Sequence, residues 1–198
     1  METRQSSLLC AHVGLLLLIG LISFHLPEVQ GAPTDFWCNS GARKCMLKKI
    51  ENLRKDMANC MGSDTLPSPI QLPCVWIHAA QWATKTVQKK SAEVMGGLQG
   101  FYDAVQKAII QIPSSTCHTS VLGELKHRIT TYKNIVSYVY EQNDTPQPVI
   151  QHCSNETSLN TMLEQYEKLL RGKLERLAID LRFSMCKGDH IIPNNCNS

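Results

Sequence analysis

The placement of nine cysteines in 198 residues constrains this chain more than any other feature. Cys10 falls inside an apolar run, Leu8 to Phe24, which follows Arg4 and precedes Pro27 and the tripeptide Val29-Gln30-Gly31. A positive start, an apolar stretch and a small residue at its end are the marks of an export signal. Residues 1–31 are therefore expected to be a signal peptide cleaved after Gly31, and residues 32–198 one folded domain. The rival reading is an uncleaved anchor, but the run is near the lower length limit for a membrane span. No later segment is apolar enough to cross a bilayer, so no membrane attachment is expected once the signal is removed. The eight remaining cysteines are Cys38, Cys45, Cys60, Cys74, Cys117, Cys153, Cys186 and Cys196. An even count in an exported chain argues for disulfides, because that compartment is oxidising. A zinc centre would want close pairs such as C-x2-C, and none occurs. Neither a metal nor a cofactor is expected.

Four stretches carry helical periodicity. In the first, about residues 42–59, Met46, Ile50, Leu53 and Met57 step by four, three and four along one face. The second covers about 79–110, with Trp82, Val87, Val94, Leu98, Phe101, Val105 and Ile109 as its buried stripe. Gly96, Gly97 and Gly100 weaken it locally. They suit close packing better than a phosphate loop, since no strand precedes them. The third covers about 118–141, with Leu122, Leu125, Ile129, Tyr132 and Val136. The fourth covers about 158–185, with Met162, Leu163, Tyr166, Leu170, Leu174, Leu177 and Leu181, and Thr157 placed to cap it. No convincing strand-rich region is present.

The connections set the topology. The second and third helices are joined by a short link holding Pro113, which makes them antiparallel neighbours. The first link is long and carries Pro67, Pro69 and Pro73; the third is long and carries Pro146 and Pro148. Twenty-residue helices are about 30 Å long, a distance that extended loops of this size can cross. Long, short, long predicts an all-α, up-up-down-down four-helix bundle with two crossover loops. In that layout Cys60 and Cys117 meet at one end. Cys38, Cys45, Cys186 and Cys196 gather at the other, and Cys74 and Cys153 lie along the crossovers. The layout groups the cysteines and leaves their pairing open.

Other classes of function find little support. The net charge of +3 is mild and scattered, which argues against nucleic acid as a partner. The seven histidines are dispersed, and H-E-x-x-H, G-x-S-x-G and Walker sequences are all absent. No catalytic residue is assigned. Asn155-Glu156-Thr157 is an N-glycosylation sequon; a second at Asn143 is followed by Pro146, which weakens it.

Three segments carry a family resemblance. They are Leu66-Pro67-Ser68-Pro69-Ile70-Gln71-Leu72-Pro73 with Val75 and Trp82 after it, Thr116-Cys117 with Val121-Leu122-Gly123-Glu124-Leu125, and Leu169-Leu170-Arg171-Gly172-Lys173 ahead of Cys186. Their order and spacing resemble the erythropoietin/thrombopoietin cytokine family, and the crossover loop is closer to its thrombopoietin branch. The resemblance implies a monomeric ligand that dimerises a class I cytokine receptor, with one strong face built from the first helix, the crossover loop and the fourth helix. It implies receptor contacts at Arg171 and Lys173, with Gly172 admitting a close approach, and at Lys90 and Lys48, with Lys49 beside it. Glu124, Lys126 and Arg128 are candidates for a weaker second face. It also implies bridges Cys38–Cys186 and Cys60–Cys117. Cys74–Cys153 and Cys45–Cys196 are then the expected additions, with Cys45–Cys186 and Cys38–Cys196 as the alternative at that end. Two departures stand out. The stretch from Asn39 to Cys45 lacks most of the family's charges, and Glu175 stands where a basic residue is expected.

Overall fold

A computed structural model describes residues 33–113, 116–141 and 147–186. The expected signal peptide, Asn143 and Cys196 lie outside the described residues. In chain order the elements are α1 (Pro33–Cys38), α2 (Ser40–Asn59), β1 (Thr65–Pro73), α3 (Ala79–Thr84), α4 (Val87–Gln111), α5 (Cys117–Glu141), β2 (His152–Ser158) and α6 (Leu159–Leu169). A π-helical turn (Leu170–Leu174) and α7 (Glu175–Met185) complete the fold.

Helix starts follow local chemistry. Asn39 Oδ1 accepts from the amides of Gly41 and Ala42 at 2.9 and 3.1 Å, satisfying donors that the first turn of α2 leaves free. The second helical stretch is not continuous from Ala79. It breaks at 85–86, where Thr86 Oγ1 accepts from the Lys89 amide and starts α4 afresh. The fourth stretch is capped by Ser158, whose hydroxyl accepts from the Thr161 amide at 3.2 Å, and not by Thr157, which lies exposed at the end of β2.

The helices form an up-up-down-down bundle. α2 packs along α6, and α4 along α5. Leu98, Phe101, Val105, Leu122, Leu125, Ile129, Leu163 and Leu177 are all fully buried between them. Phe101 meets Tyr166 edge to face at 5.3 Å between ring centroids, within the range such pairs favour. The short helix α1 closes one end with Trp37, which is fully buried and set edge to face against Phe36 at 4.9 Å.

The crossovers hold a feature that sequence patterning did not show. β1 and β2 pair antiparallel, running from Thr65↔Ser158 to Pro73↔His152 with irregular register between Thr65 and Ile70. The expectation of no strand-rich region is therefore corrected. The strands lack a clean alternation because β1 is studded with proline, which cannot donate to a ladder. They form because two loops passing in opposite directions over α4 find each other. Leu66, Ile70 and Leu72 of β1 are buried in the same core.

Three disulfides between described residues fasten this arrangement. Cys38 joins Cys186 across the ends of α1 and α7, with Cα atoms 5.5 Å apart. Cys60 after α2 joins Cys117 at the head of α5, also at 5.5 Å. Cys74 after β1 joins Cys153 of β2 at 4.9 Å. Cys45 is disulfide-bonded as well. The alternative in which Cys45 takes Cys186 is not the one found.

Candidate functional site

The segment Leu169-Leu170-Arg171-Gly172-Lys173 runs into the π-helical turn, Leu170–Leu174. Such turns are rare insertions in helices and are frequent at functional sites. The wider turn accommodates buried residues spaced four and four, Tyr166, Leu170 and Leu174. It sends two neighbouring cations in different directions.

Arg171 points outward, with its side chain half exposed. Its Nε donates to Glu167 at 2.6 Å, and its guanidinium also pairs with Glu51 of α2. Glu167 is shared with Arg54 at 2.8 Å. Burial opposes ionisation of Glu167, yet hydrogen bonds from Arg171 and Arg54 hold its carboxyl below the usual range. The result is a four-residue ionic strip that ties α2 to the fourth helix and displays Arg171 between them. Lys48 and Lys49 lie on the exposed side of α2, and neither makes an ion pair among the described residues.

Lys173 points inward and is only 4% exposed. Its ammonium donates to the carbonyl of Cys74 at 2.7 Å and pairs with Glu93 of α4 at 2.8 Å. Lys85 reaches the same carboxylate. Lys90 is also buried. It pairs with Asp180 at 2.9 Å and lies 5.7 Å from the centroid of the Trp82 ring, whose indole donates to the same Asp180. The structure thus separates the four candidate contacts into two kinds. Arg171 and Lys48 present charge at the surface, whereas Lys173 and Lys90 spend theirs holding the crossover and α3 against the bundle. Gly172 likewise faces its own chain: a side chain there would meet Ile77 at 3.4 Å.

The acidic residue at position 175 has its reason in Arg43. Arg43 is buried and donates to the carbonyls of Phe36 and Trp37 at 2.9 Å each, holding α1 in place. Glu175 supplies its counter-charge through two bonds, of 2.8 and 3.1 Å. A basic residue at position 175 would leave that guanidinium facing a like charge.

On α5, Glu124 and Arg128 pair with each other at 2.6 Å, and Lys126 lies 5.3 Å from the centroid of the Tyr102 ring. Asn155 is exposed on β2, opposite Gln71. Among the described residues no cluster of histidine, cysteine and carboxylates has the makings of a metal site. No described helix is long and apolar enough to cross a membrane. Glu93, Glu167, Glu51 and Arg43, which organise the ionic framework, carry no signal in the sequence. Glu167 has Arg171 four residues on, a spacing common on solvated helix faces, but the partners that tie elements together, Arg54 for Glu167, Lys173 for Glu93, Arg171 for Glu51 and Glu175 for Arg43, are distant in the chain.

Comparison with known proteins gives the arrangement its context. Residues 36–188 match the family model described as Erythropoietin/thrombopoietin. Thrombopoietin of Mus musculus is 24% identical over 164 residues, which is 83% of this chain and 45% of that protein. Thrombopoietin of Rattus norvegicus is 24% identical over 164 residues, 83% of this chain and 49% of that protein. The chain thus spans about half the length of the curated relatives it matches. With the four-helix bundle and the family model covering most of its length, this chain belongs to the erythropoietin/thrombopoietin family, a family of cytokines and not of enzymes.

Proposed function

We propose that this protein is a secreted, monomeric haematopoietic cytokine of the thrombopoietin kind. It binds and dimerises a class I cytokine receptor, the thrombopoietin receptor, and so drives proliferation and maturation of megakaryocyte or thrombocyte precursors. The observation that carries the reading is the display of Arg171 by the π-helical turn, beside the exposed lysines of α2. Binding energy at protein interfaces concentrates in a few anchors, and arginine is favoured among them. The rigid ionic strip around Arg171 means little side-chain freedom is lost on contact, which lowers the cost of binding.

In this reading Arg171 and Lys48 touch the receptor. Lys173 and Lys90 shape the face from behind by fixing the first crossover and Trp82. A second receptor copy meets α2 and α5. Residues 1–31 are removed on export, the product is extracellular, and Asn155 carries a glycan on the exposed strand β2. The relatives at 24% identity are both thrombopoietins, which favours that receptor over the erythropoietin receptor.

The test is to apply purified protein to two cell lines, each bearing one of the two receptors, and to follow proliferation. The thrombopoietin receptor line should respond, and Arg171→Ala with Lys48→Ala should raise the half-maximal concentration by about tenfold or more. A response only through the erythropoietin receptor would replace this reading with an erythropoietin-like hormone acting on erythroid precursors.

A further inference from the structure

The bridges between described residues differ in how open they are to attack and in what would receive a leaving sulfur. Thiol–disulfide exchange depends on both: access for the incoming thiolate, and a leaving thiolate whose charge is stabilised. Cys60–Cys117 offers the first without the second. Cys117 is exposed, but Cys60 is buried in the apolar core, where a thiolate is disfavoured. Cys38–Cys186 has no exposed member, since both residues are half-buried.

Cys74–Cys153 has both properties. Cys153 is exposed on β2, and Cys74 is half-buried after β1. The two line one cleft of about 440 Å³ together with Lys85, Lys89 and Lys173, against the single carboxylate of Glu93. The Lys173 ammonium is fixed 2.7 Å from the carbonyl of Cys74 itself. Lys173 is buried, so water screens its charge little. Lysine close to a cysteine favours the thiolate, and surplus positive charge in a cleft draws in an anionic attacker.

We infer that the Cys74–Cys153 bridge is a thiol–disulfide exchange site, opened by an external dithiol ahead of the other described bridges. One thiolate of the dithiol attacks Cys153 Sγ, and a new S–S bond forms there as the Cys74–Cys153 bond breaks. The electron pair goes to Cys74 Sγ, which leaves as a thiolate in the cationic cleft. The second thiolate of the dithiol then attacks the mixed disulfide and releases Cys153. The bridge gains two electrons, the dithiol becomes a disulfide, and its two protons end on the cysteines. The helix ends stay tied, and the crossovers remain hydrogen-bonded, with the Cys74 amide donating to the Gln151 carbonyl at 2.8 Å. Opening therefore removes the covalent tie between the crossovers and leaves the bundle standing. The chemistry does not depend on which receptor the protein uses.

The experiment treats the full chain with limiting dithiothreitol at neutral pH, quenches samples over time with N-ethylmaleimide and maps the labelled cysteines by mass spectrometry. Cys74 and Cys153 should be labelled together, about tenfold or more faster than Cys38, Cys60, Cys117 and Cys186, with helical circular dichroism unchanged. Glutathione, a monothiol, stops the reaction at the mixed disulfide. Its adduct at early times should sit on Cys153, with maleimide on Cys74. Added salt should slow the glutathione reaction by screening the cleft. Earlier opening at any other bridge overturns the inference, as does a Cys74–Cys153 bridge that stays closed until the chain unfolds. An adduct on Cys74, a glutathione rate that salt leaves unchanged, or loss of the helical signal as the bridge opens would each overturn it as well.

Discussion

A lysine removed from water must be met by acceptors, and at Lys173 they come from the first crossover and from α4. Removing one member of such a buried set leaves the others uncompensated. Lys173→Met is therefore expected to lower the free energy of unfolding by about 2–4 kcal/mol in a denaturant titration. Arg171→Ala, at a half-exposed strip, should change it by about 1 kcal/mol or less. That contrast separates a residue that builds the face from one that acts on it. The carboxylates of the framework add a pH dependence. Glu93 and Glu167 resist ionisation through burial, but their cations hold both below the ordinary glutamate value. The unfolded chain therefore takes up protons first as pH falls. Their stabilisation is complete above about pH 4.5, near the ordinary glutamate value, and is lost as pH drops through the lower folded values. Glu93→Gln should flatten the fall in thermal midpoint measured between neutral pH and pH 3.

Among the elements, α4 shows most plainly how a helix serves the loops that cross it. A Cβ at Gly96 would lie 2.7 Å from the carbonyl oxygen of Val149, and one at Gly97 would lie 2.9 Å from the end of the Leu169 side chain. The first neighbour is backbone and cannot turn aside, while the second is a flexible tip. Helix propensity alone favours alanine over glycine by about 1 kcal/mol. Gly96→Ala is nonetheless expected to destabilise by about 1–3 kcal/mol, because the second crossover must move. Gly123→Ala on α5, where nothing lies within 4 Å, should instead stabilise by about 0.5–1 kcal/mol. Paired thermal melts of the two variants check both signs. The glycines were visible in the sequence as a local weakness of the helix. That Gly96 seats the second crossover and Gly100 both was not, since the seat is made by Val149, Ile150 and Pro73, which are distant in the chain.

At the scale of the whole molecule, the bridges divide the labour. Cys38–Cys186 and Cys60–Cys117 tie helix ends, whereas Cys74–Cys153 ties crossover to crossover beside the Cys74 carbonyl that Lys173 holds. The third bridge closes a separation of 79 residues, and its loss should cost about 2–4 kcal/mol. Cys74→Ser with Cys153→Ser is expected to keep the helical circular dichroism, since the core and the bridges at the helix ends remain. Its denaturation midpoint should drop, and its crossovers should become more open to proteolysis.

What this sequence determined by itself follows from short-range rules. Apolar residues at helical spacing specify four amphipathic rods, and a short link between two long ones leaves few ways to assemble them. The cysteines can then meet only in certain neighbourhoods. The family resemblance and the segment around Arg171 were legible for the same reason, as contiguous residues. The tertiary structure alone decided what depends on groups distant in the chain. It paired the two crossovers into strands, broke the second helix at Thr86 and widened the fourth into a π turn. It also decided which cations face water. Lys48 and Lys173 read alike in a sequence, because a lysine's free energy depends on the acceptors brought to it, and those arrive only when the chain has folded.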